Sequence, residues 1–449
     1  MTDSSSPLAI VDFADEIGSS PRRLEFSSPV AVRRADRLED VVAVLDAADR
    51  AARDGRWVVG FVSFEAATAF DPAFAHAPGG TLPLAWFGEF DAPSLSGGTP
   101  SLPDEPMGGA TAVPLAPVTP VGDKEYASAV QRIHAYIDAG DVYQVNYTVP
   151  FTSPLAAAPR AVYERMRAAQ GGSYSCYLDT GDAHILSASP ELFFERRGAW
   201  LRSRPMKGTA PRGAHPAADA DARDALLRSD KDRAENVMIV DVVRNDLGRL
   251  ARVGTVRVAA LCEPERYPSV WQLTSTVEAE VDPHVSLARV FAALFPPASV
   301  TGAPKIRATA IIRELERGAR EVYCGAVGIV RPGGDATFNV AIRTAWTTST
   351  AETLHLGAGG GITTDSTVHG ELGEVRAKLA AFTQRKLTPA LFETIRIERG
   401  TPVRFERHLA RLGASADRFD IPFDVRAARH TLDAALRAAA PSDLARARL

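Results

Sequence analysis

The sequence predicts a mixed α/β (α+β) protein with long strands gathered into large sheets. Three observations carry that expectation. Strand-like and helix-like patterns alternate along the chain as far as residue 382. Hydrophobic residues make up 45% and charged residues 24% of the 449, an ordinary balance for a chain that buries a core. No run approaches the roughly 18 consecutive apolar residues of a membrane span. The length sets a prior of two to four units of about 100–200 residues each.

In the first hundred residues short apolar runs alternate with turns. WVVGFVSFEAA (57–67) reads as a strand with Trp57, Val59 and Phe61 on one face, and PLAWFGEF (83–90) as another. Residues 91–122 are rich in Pro, Gly, Ser and Thr without periodicity and read as a long surface connection. A helix is expected over 123–139, with Asp123 as N-cap and Ala127, Val130, Ile133, His134 and Ile137 along its stripe. The chain then turns at Gly140 into a strand within AGDVYQVNYTVPF (139–151). From 173 to 210 the pattern is strand, turn, strand, closing on RPMKGTAPRG (204–213), and 221–249 reads as one long helix. Beyond LAAFTQRKLTPA (379–390) the character changes. LFETIRIERGTPVRFERHLARLGASADRFDIPF (391–423) reads as strand, tight turn at Arg399-Gly400, strand and amphipathic helix, the opening of an α+β segment that is incomplete by residue 449. The division expected is 1–115, 116–382, a linker at 383–390, and 391–449.

Composition also excludes partners. A net charge of −4 argues against a general nucleic-acid binder. The three cysteines, Cys176, Cys262 and Cys324, form no CxxC pair, which argues against a zinc or redox motif and suits a reducing compartment. The N-terminus has no basic region followed by an apolar run, so the expected location is cytoplasmic, with no membrane partner.

Two segments concentrate acids. In Asp230-Lys231-Asp232-Arg233-Ala234-Glu235, Asp232 and Glu235 share a helical face, and Glu371 and Glu374 repeat that spacing in ELGEVRAK, with Lys378 one turn on. Facing one cleft, two such pairs would make an oxygen-only site for a hard cation such as Mg²⁺. On spacing alone a pair of solvated helix faces is the better reading. The glycine run GAGGGITTDS (357–366) leads into the second acidic helix, where backbone N–H groups and a helix N-terminus could meet an anion, or form a plain tight turn. Arg343, expected on a strand, could clamp a carboxylate, and Tyr323 could donate a phenolic hydrogen bond.

Together these segments resemble the chorismate-binding enzymes: anthranilate, aminodeoxychorismate, isochorismate and salicylate synthases. The pieces that carry the resemblance are SASPELFFER (187–196), PMKGTAPRG (205–213), DKDRAENVMIVDVVRNDLGR (230–249), TGAPK (301–305), YCGAVG (323–328), NVAIRT (339–344) and GAGGGITTDSTVHGELGEVRAK (357–378), in family order. The resemblance implies two large, mostly antiparallel sheets packed as a sandwich with helices outside. It implies Glu235 and Glu374 as direct Mg²⁺ ligands and Asp232 and Glu371 as carboxylates reaching the metal through water. Arg343 and Tyr323 would hold the enolpyruvyl carboxylate of chorismate. Thr209, Gly359, Gly360, Gly361 and Lys378 would lie against substrate, and Glu191 would be the general acid.

Two positions discriminate within the family. Members that add water carry a lysine base where this chain has Gln144, which cannot take a proton at neutral pH. Lys207 in PMKGT occupies a position that is small in anthranilate synthases. It is a nucleophilic lysine in aminodeoxychorismate synthases, which attacks ring carbon 2. That role needs a free amine, and the expectation is that burial, the metal and Arg343 lower its pKa. Many members have a histidine where this chain has Gln272, which can donate a hydrogen bond but cannot act as an acid. The resemblance therefore implies a chorismate-aminating enzyme supplied with ammonia by a separate glutaminase subunit, with anthranilate formation or a non-catalytic binding role as alternatives. No Gly-x-Cys-x-Gly turn of a glutaminase surrounds any of the three cysteines. FETIRIERGTPVRFERHLARL resembles the opening of the fold-type IV pyridoxal-phosphate enzymes. Arg411 would match their phosphate-binding arginine, and the cofactor lysine, far downstream in that family, is absent from this sequence.

Overall fold

The computed structural model describes residues 8–14, 21–74, 80–95, 115–171, 173–383, 391–419, 421–438 and 444–449. Most of the expected surface connection at 91–122 and nearly all of the expected linker at 383–390 lie outside these residues.

Among these residues two large antiparallel sheets form the body. One has nine strands in the order Gly302–Ala303, Gln144–Pro154, Thr353–Ile362, Thr344–Thr348, Ala183–Ser189, Tyr174–Asp179, Ala9–Phe13, Arg22–Phe26 and Ser94–Leu95. The other runs Met206–Pro211, Val270–Glu280, Trp200–Arg204, Leu192–Arg197, Ala336–Val340, Ala326–Val330, Trp57–Val62, Ala85–Phe90 and Ala31–Ala35, with Arg257–Arg266 also paired to Val270–Glu280. Strands from the first 95 residues are built into both sheets.

Three apolar layers explain why the sheets stack. Between them lie Val11, Phe13 and Ile185 from one sheet and Val59, Phe61 and Ile329 from the other. On the outer face of the ten-stranded sheet, Phe194 and Phe338 pack against Leu45, Ile239 and Phe291 of the helices Leu38–Arg53, Asp230–Gly248 and Leu287–Leu294. On the outer face of the nine-stranded sheet, Tyr147, Val149 and Leu356 meet Val130, Val162, Ile311 and Val375 of four more helices. A sheet buried on both faces needs apolar residues at odd and even positions. Trp57–Val62 shows this: Val59 and Phe61 face the inter-sheet layer, and Val58 and Val62 face the helices. This is the sandwich with external helices that the resemblance implied.

Several local expectations are corrected. The strand in 57–67 ends at Val62 and gives way to a 3-10 turn at Phe64–Ala66. The helix at Asp123–Asp138 takes Gly122 as N-cap, without a side-chain cap. The expected single helix over 221–249 is two, Pro216–Arg228 and Asp230–Gly248, broken at Ser229. Ser229 is extended (φ −69°, ψ 107°), and its hydroxyl accepts the backbone N–H of Asp232 at 3.3 Å, so it ends one helix and caps the next. The glycine run belongs to the strand Thr353–Ile362, paired along its length with Gln144–Pro154. Arg343 lies just before the strand Thr344–Thr348, in the left-handed region at φ 49°.

The segment from 391 forms a three-stranded sheet, Thr401–Pro402, Thr394–Glu398 and Leu444–Arg448, with two amphipathic helices. Arg399 and Gly400, both at positive φ, make its tight turn. Arg418 Nε donates to the carbonyl of Gly213 at 2.7 Å and joins this segment to the body.

Candidate active site

A cleft of about 510 Å³ opens between the strand Met206–Pro211 of one sheet and Thr353–Ile362 of the other. The starts of the helices Asp230–Gly248 and Val368–Thr383 close it. Of the residues singled out from sequence, it gathers Glu191, Lys207, Thr209, Asp232, Glu235, Gln272, Tyr323, Arg343, Gly359, Gly361, Glu371, Glu374 and Lys378. Gly360, Gln144 and Arg411 are not on its lining.

Local sequence explains how Lys207 reaches the cleft. The register between Met206–Pro211 and Val270–Glu280 slips between Met206, opposite Thr274, and Thr209, opposite Gln272. Lys207 and Gly208 occupy that bulge, a device that re-aims a side chain. Gly208 sits at φ 90°, and a Cβ there would lie 3.0 Å from Asp232 Cβ, so only glycine lets the acidic helix approach this closely. Asn236 Nδ2 donates to the Lys207 carbonyl at 3.3 Å and fastens the two elements together. Glu191 is placed similarly beside a register shift that begins at Leu192, and its N–H donates to Ser189 Oγ at 3.1 Å.

The glycine strand is shaped by what faces it. A Cβ on Gly357 would strike the Tyr323 ring at 2.3 Å, and one on Gly360 would lie 2.7 Å from Glu371 Oε2. At Gly361 it would lie 2.5 Å from Gln144 Nε2 and 3.0 Å from Lys207 Nζ. The glycines therefore make room for the functional side chains. Their place in a paired strand replaces the loop that could have met an anion with its backbone.

Electrostatics divide the cleft. Burial pushes Glu191 up to about 7, against the pull of the nearby Lys207 and Lys378 charges. Burial lowers the Lys207 amine; among its charged neighbours Lys378 pushes the same way, and Glu235, Glu374 and Glu191 push back. Among the cations of the cleft it is Lys378 that acts most on Lys207, where the expectation named Arg343. Burial raises Glu235 and Glu371. Glu374 moves down: burial opposes this, but Lys378 Nζ, 2.6 Å from its Oε1, prevails. The same amine donates to the Gly359 carbonyl at 2.6 Å.

The donor set suits a hard cation. Four carboxylates border one cleft, Asp232 and Glu371 both disfavour the charge on Glu235, and Glu371 Oε2 is buried without a hydrogen-bond partner. In this conformation lysines meet two of the carboxylates, Lys378 pairing with Glu374 and Lys231 Nζ lying 3.9 Å from Glu235 Oε1. Among the described residues no three His, Cys, Asp or Glu side chains converge closely enough to hold a metal ion.

At the far end Arg343 is the complementary group. Burial lowers its pKa, its guanidinium donates to Gln170 Oε1, and among the described residues no carboxylate pairs with it. Tyr323 is 8% exposed, and burial holds its phenol well above its ordinary value. Gln144 is fully buried behind Gly361 with neither amide atom hydrogen-bonded. Arg411 lies outside the cleft, its Nε 2.5 Å from Glu393 Oε1. Sequence reasoning missed Asn146, Lys231 and Ser299, all on the lining. Lys231 could have been found, lying inside a quoted motif between two named acids.

Among the described residues no helix is long and apolar enough to cross a membrane. The profile of the chorismate binding enzymes matches residues 104–384, and that of the class IV amino-transferases matches 390–449. A protein named aminodeoxychorismate synthase component 1 from Klebsiella aerogenes is 40% identical over 256 residues, 57% of this chain and 56% of that protein. One named anthranilate synthase component 1 from Haloarcula marismortui is 37% identical over 260 residues, 58% of this chain and 51% of that protein. The chain spans about half the length of the curated relatives it matches. The crystal structure of anthranilate synthase component I from Streptococcus pneumoniae shares the fold, with a TM-score of 0.67 at 23% identity over 85% of this chain and 91% of that one. The chorismate-binding profile covers more than half of the 449 residues and takes in every wall of the cleft, and this chain belongs to the chorismate-binding enzymes.

Proposed function

We propose that the chain is the chorismate-aminating component of an aminodeoxychorismate synthase, a transferase in the route to p-aminobenzoate and folate. It would convert chorismate and ammonia to 4-amino-4-deoxychorismate, with the ammonia supplied by a glutaminase subunit. The observation that carries this reading is Lys207, held in a bulge inside the cleft with a lowered pKa. Arg343 and Tyr323 would bind the enolpyruvyl carboxylate. Glu235 and Glu374, with Asp232 and Glu371 behind them, would hold Mg²⁺. When bound, the metal would neutralise the ring carboxylate.

In the first step Lys207 Nζ attacks ring carbon 2, both ring double bonds shift, the carbon 4 hydroxyl leaves as water with a proton from Glu191, and the alkylated amine returns a proton to the Glu191 carboxylate. Ammonia then adds at carbon 4, both double bonds shift back, and the Lys207 amine is expelled, taking up the proton that the new ammonium releases. Gln144 offers no base to activate water in competition. Thr209, Gln272 and the glycine strand would shape the floor, and residues 116–382 would be the catalytic unit. Arg411 would belong to a separate pyridoxal-type segment; residues 391–449 contain no lysine.

The test is to incubate the protein with chorismate, Mg²⁺ and ammonium and identify the product by mass. 4-Amino-4-deoxychorismate is expected. Anthranilate would move the reading to the other branch, and no turnover would favour a binding role.

The pH dependence follows from two groups. Glu191, raised to about 7, keeps its proton below that value and loses it above, while Lys207 must lose its proton to attack. Adduct formation in the absence of ammonia should therefore rise with pH at first, break near pH 7 where Glu191 begins to lose its proton, and fall once both groups have lost theirs. A rate that keeps rising through pH 9 would remove Glu191 as the acid.

A further inference from the structure

One buried carboxylate outside the cleft is tied to its wall by an unbroken chain of hydrogen bonds. Glu65 lies in the 3-10 turn Phe64–Ala66, well before residue 104, where the family match begins. It is 6% exposed. Its Oε1 accepts the backbone N–H of Arg320 at 2.7 Å, and its Oε2 accepts that of Glu321 at 3.1 Å. Glu321 sits at φ 60°, a left-handed conformation that a glutamate adopts only when its surroundings hold it there. These two residues open the turn that carries Tyr323, whose N–H donates to the Arg320 carbonyl at 3.1 Å.

The chain continues through the Arg320 side chain, also 6% exposed. Its guanidinium donates to the Val300 carbonyl at 2.7 Å, to the Asn146 carbonyl at 2.7 Å and to Glu316 Oε2 at 2.9 Å. Glu316 Oε1 in turn accepts from the backbone N–H of Thr148 at 2.8 Å and from its hydroxyl at 2.9 Å. Tyr323, Asn146 and Val300 all line the cleft. The links between Arg320 and Glu316 are charge-assisted; burial raises the Glu65 carboxyl to about 7 against the pull of the amide bonds it accepts, so its hold rests on buried backbone amides that are costly to leave unmade.

We propose that Glu65 is a positioning residue for the substrate cleft: its carboxylate fixes the Arg320–Tyr323 turn and, through the Arg320 guanidinium, the backbone at Asn146 and Val300. The identity of the ligand rests on the chorismate reading; the mechanical coupling does not. Glu65 touches no reacting atom. Its effect is on how well the wall around Tyr323 is formed before substrate arrives.

The test uses the full chain with Glu65→Gln, which keeps one acceptor and turns an N–H₂ toward the second backbone amide. Asp49→Asn serves as control, because Asp49 is equally buried in the N-terminal region but pairs with Arg196 at 2.6 Å, and neither residue lines the cleft. Hydrogen exchange is measured on peptides covering 318–324 and 144–148, and chorismate kinetics are measured in parallel. Glu65→Gln is expected to speed exchange in both peptides and to raise the chorismate KM roughly tenfold with kcat little changed. Asp49→Asn should lower thermal stability without either change. Wild-type exchange in both peptides of Glu65→Gln, or an equal effect from Asp49→Asn, would overturn the proposal. If the wild-type protein turns over no chorismate, the substrate reading fails and the exchange comparison alone decides on Glu65. Should Glu65→Gln not fold, Arg320→Lys keeps the charge but loses the fork; it is expected to speed exchange at 144–148, and unchanged exchange there would count against the coupling.

Discussion

Lys207→Ala is expected to slow 4-amino-4-deoxychorismate formation roughly a thousandfold, about 4 kcal/mol of barrier, while chorismate affinity changes little. The two effects separate because Arg343, Tyr323 and the carboxylates stay in place. Among the described residues the Lys207 amine has no ion-pair or hydrogen-bond partner, so alanine leaves no buried group stranded and the fold should survive. The amine needs to be free to attack, and burial with Lys378 pushes it that way. Lys207→Arg should not rescue, because guanidinium stays protonated. The decisive measurement is intact mass after quenching wild-type protein with chorismate and no ammonia. An adduct of chorismate less one water that maps to Lys207 is expected, absent from Lys207→Ala. A wild-type rate in Lys207→Ala would sink the nucleophile and favour direct attack by ammonia.

The sequence made the chemistry of this cleft more legible than its shape. Lys207, Glu235 and Glu374 could be named because each sits in a motif that carries the family resemblance, and the cleft gathers all three. The bulge that aims Lys207 was not visible, since a one-residue slip against Val270–Glu280 depends on a partner strand sixty residues away in sequence. The glycine strand failed for a related reason. Glycine usually marks turns, but here the missing Cβ atoms of Gly357, Gly360 and Gly361 answer neighbours brought in by tertiary packing: the Tyr323 ring, Glu371, and Gln144 with Lys207. Arg343 took a strand assignment from NVAIRT, yet its carbonyl accepts the N–H of Ala188 and its backbone turns left-handed. No local pattern encodes that.

The break at Ser229 is different, because its signal was present. Ser229-x-x-Asp232 is a helix-start signature, and acids in the first turn favour a helix N-terminus. Helical periodicity on both sides masked it. The consequence reaches the site, since the break puts Asp232 in the first turn and Glu235 in the second, at the cleft and not midway along a rod. The alternation in Trp57–Val62 and the tight turn at Arg399-Gly400 were read correctly because local rules alone decide them. Glu65 carried no sequence signal at all; its setting comes from two backbone amides contributed 255 and 256 residues further on.

Glu235→Gln or Glu374→Gln is expected to lower turnover by roughly 10²–10⁴-fold at limiting Mg²⁺ with the fold intact. Without a cation, burial raises Glu235; Lys207 and Lys231 pull it down, and the neighbouring Asp232 and Glu371 push it up. Glu371 is raised as well and leaves one buried oxygen unpartnered, while Glu374 is held down by Lys378. A divalent cation would relieve all three conditions, provided Lys378 yields part of its hold on Glu374. Metal binding would displace protons from the raised carboxylates, so apparent Mg²⁺ affinity should fall as pH is lowered. A readout free of turnover separates binding from catalysis: Mg²⁺ should raise the thermal midpoint of the wild-type protein and leave those of the two variants unmoved. Glutamine keeps the size of each side chain and removes one unit of negative charge, so a small change in basal stability is expected. If both variants keep wild-type turnover at limiting Mg²⁺ and their midpoints still rise with it, the metal lies elsewhere and these carboxylates serve to hold Lys378 and Lys231 beside the substrate.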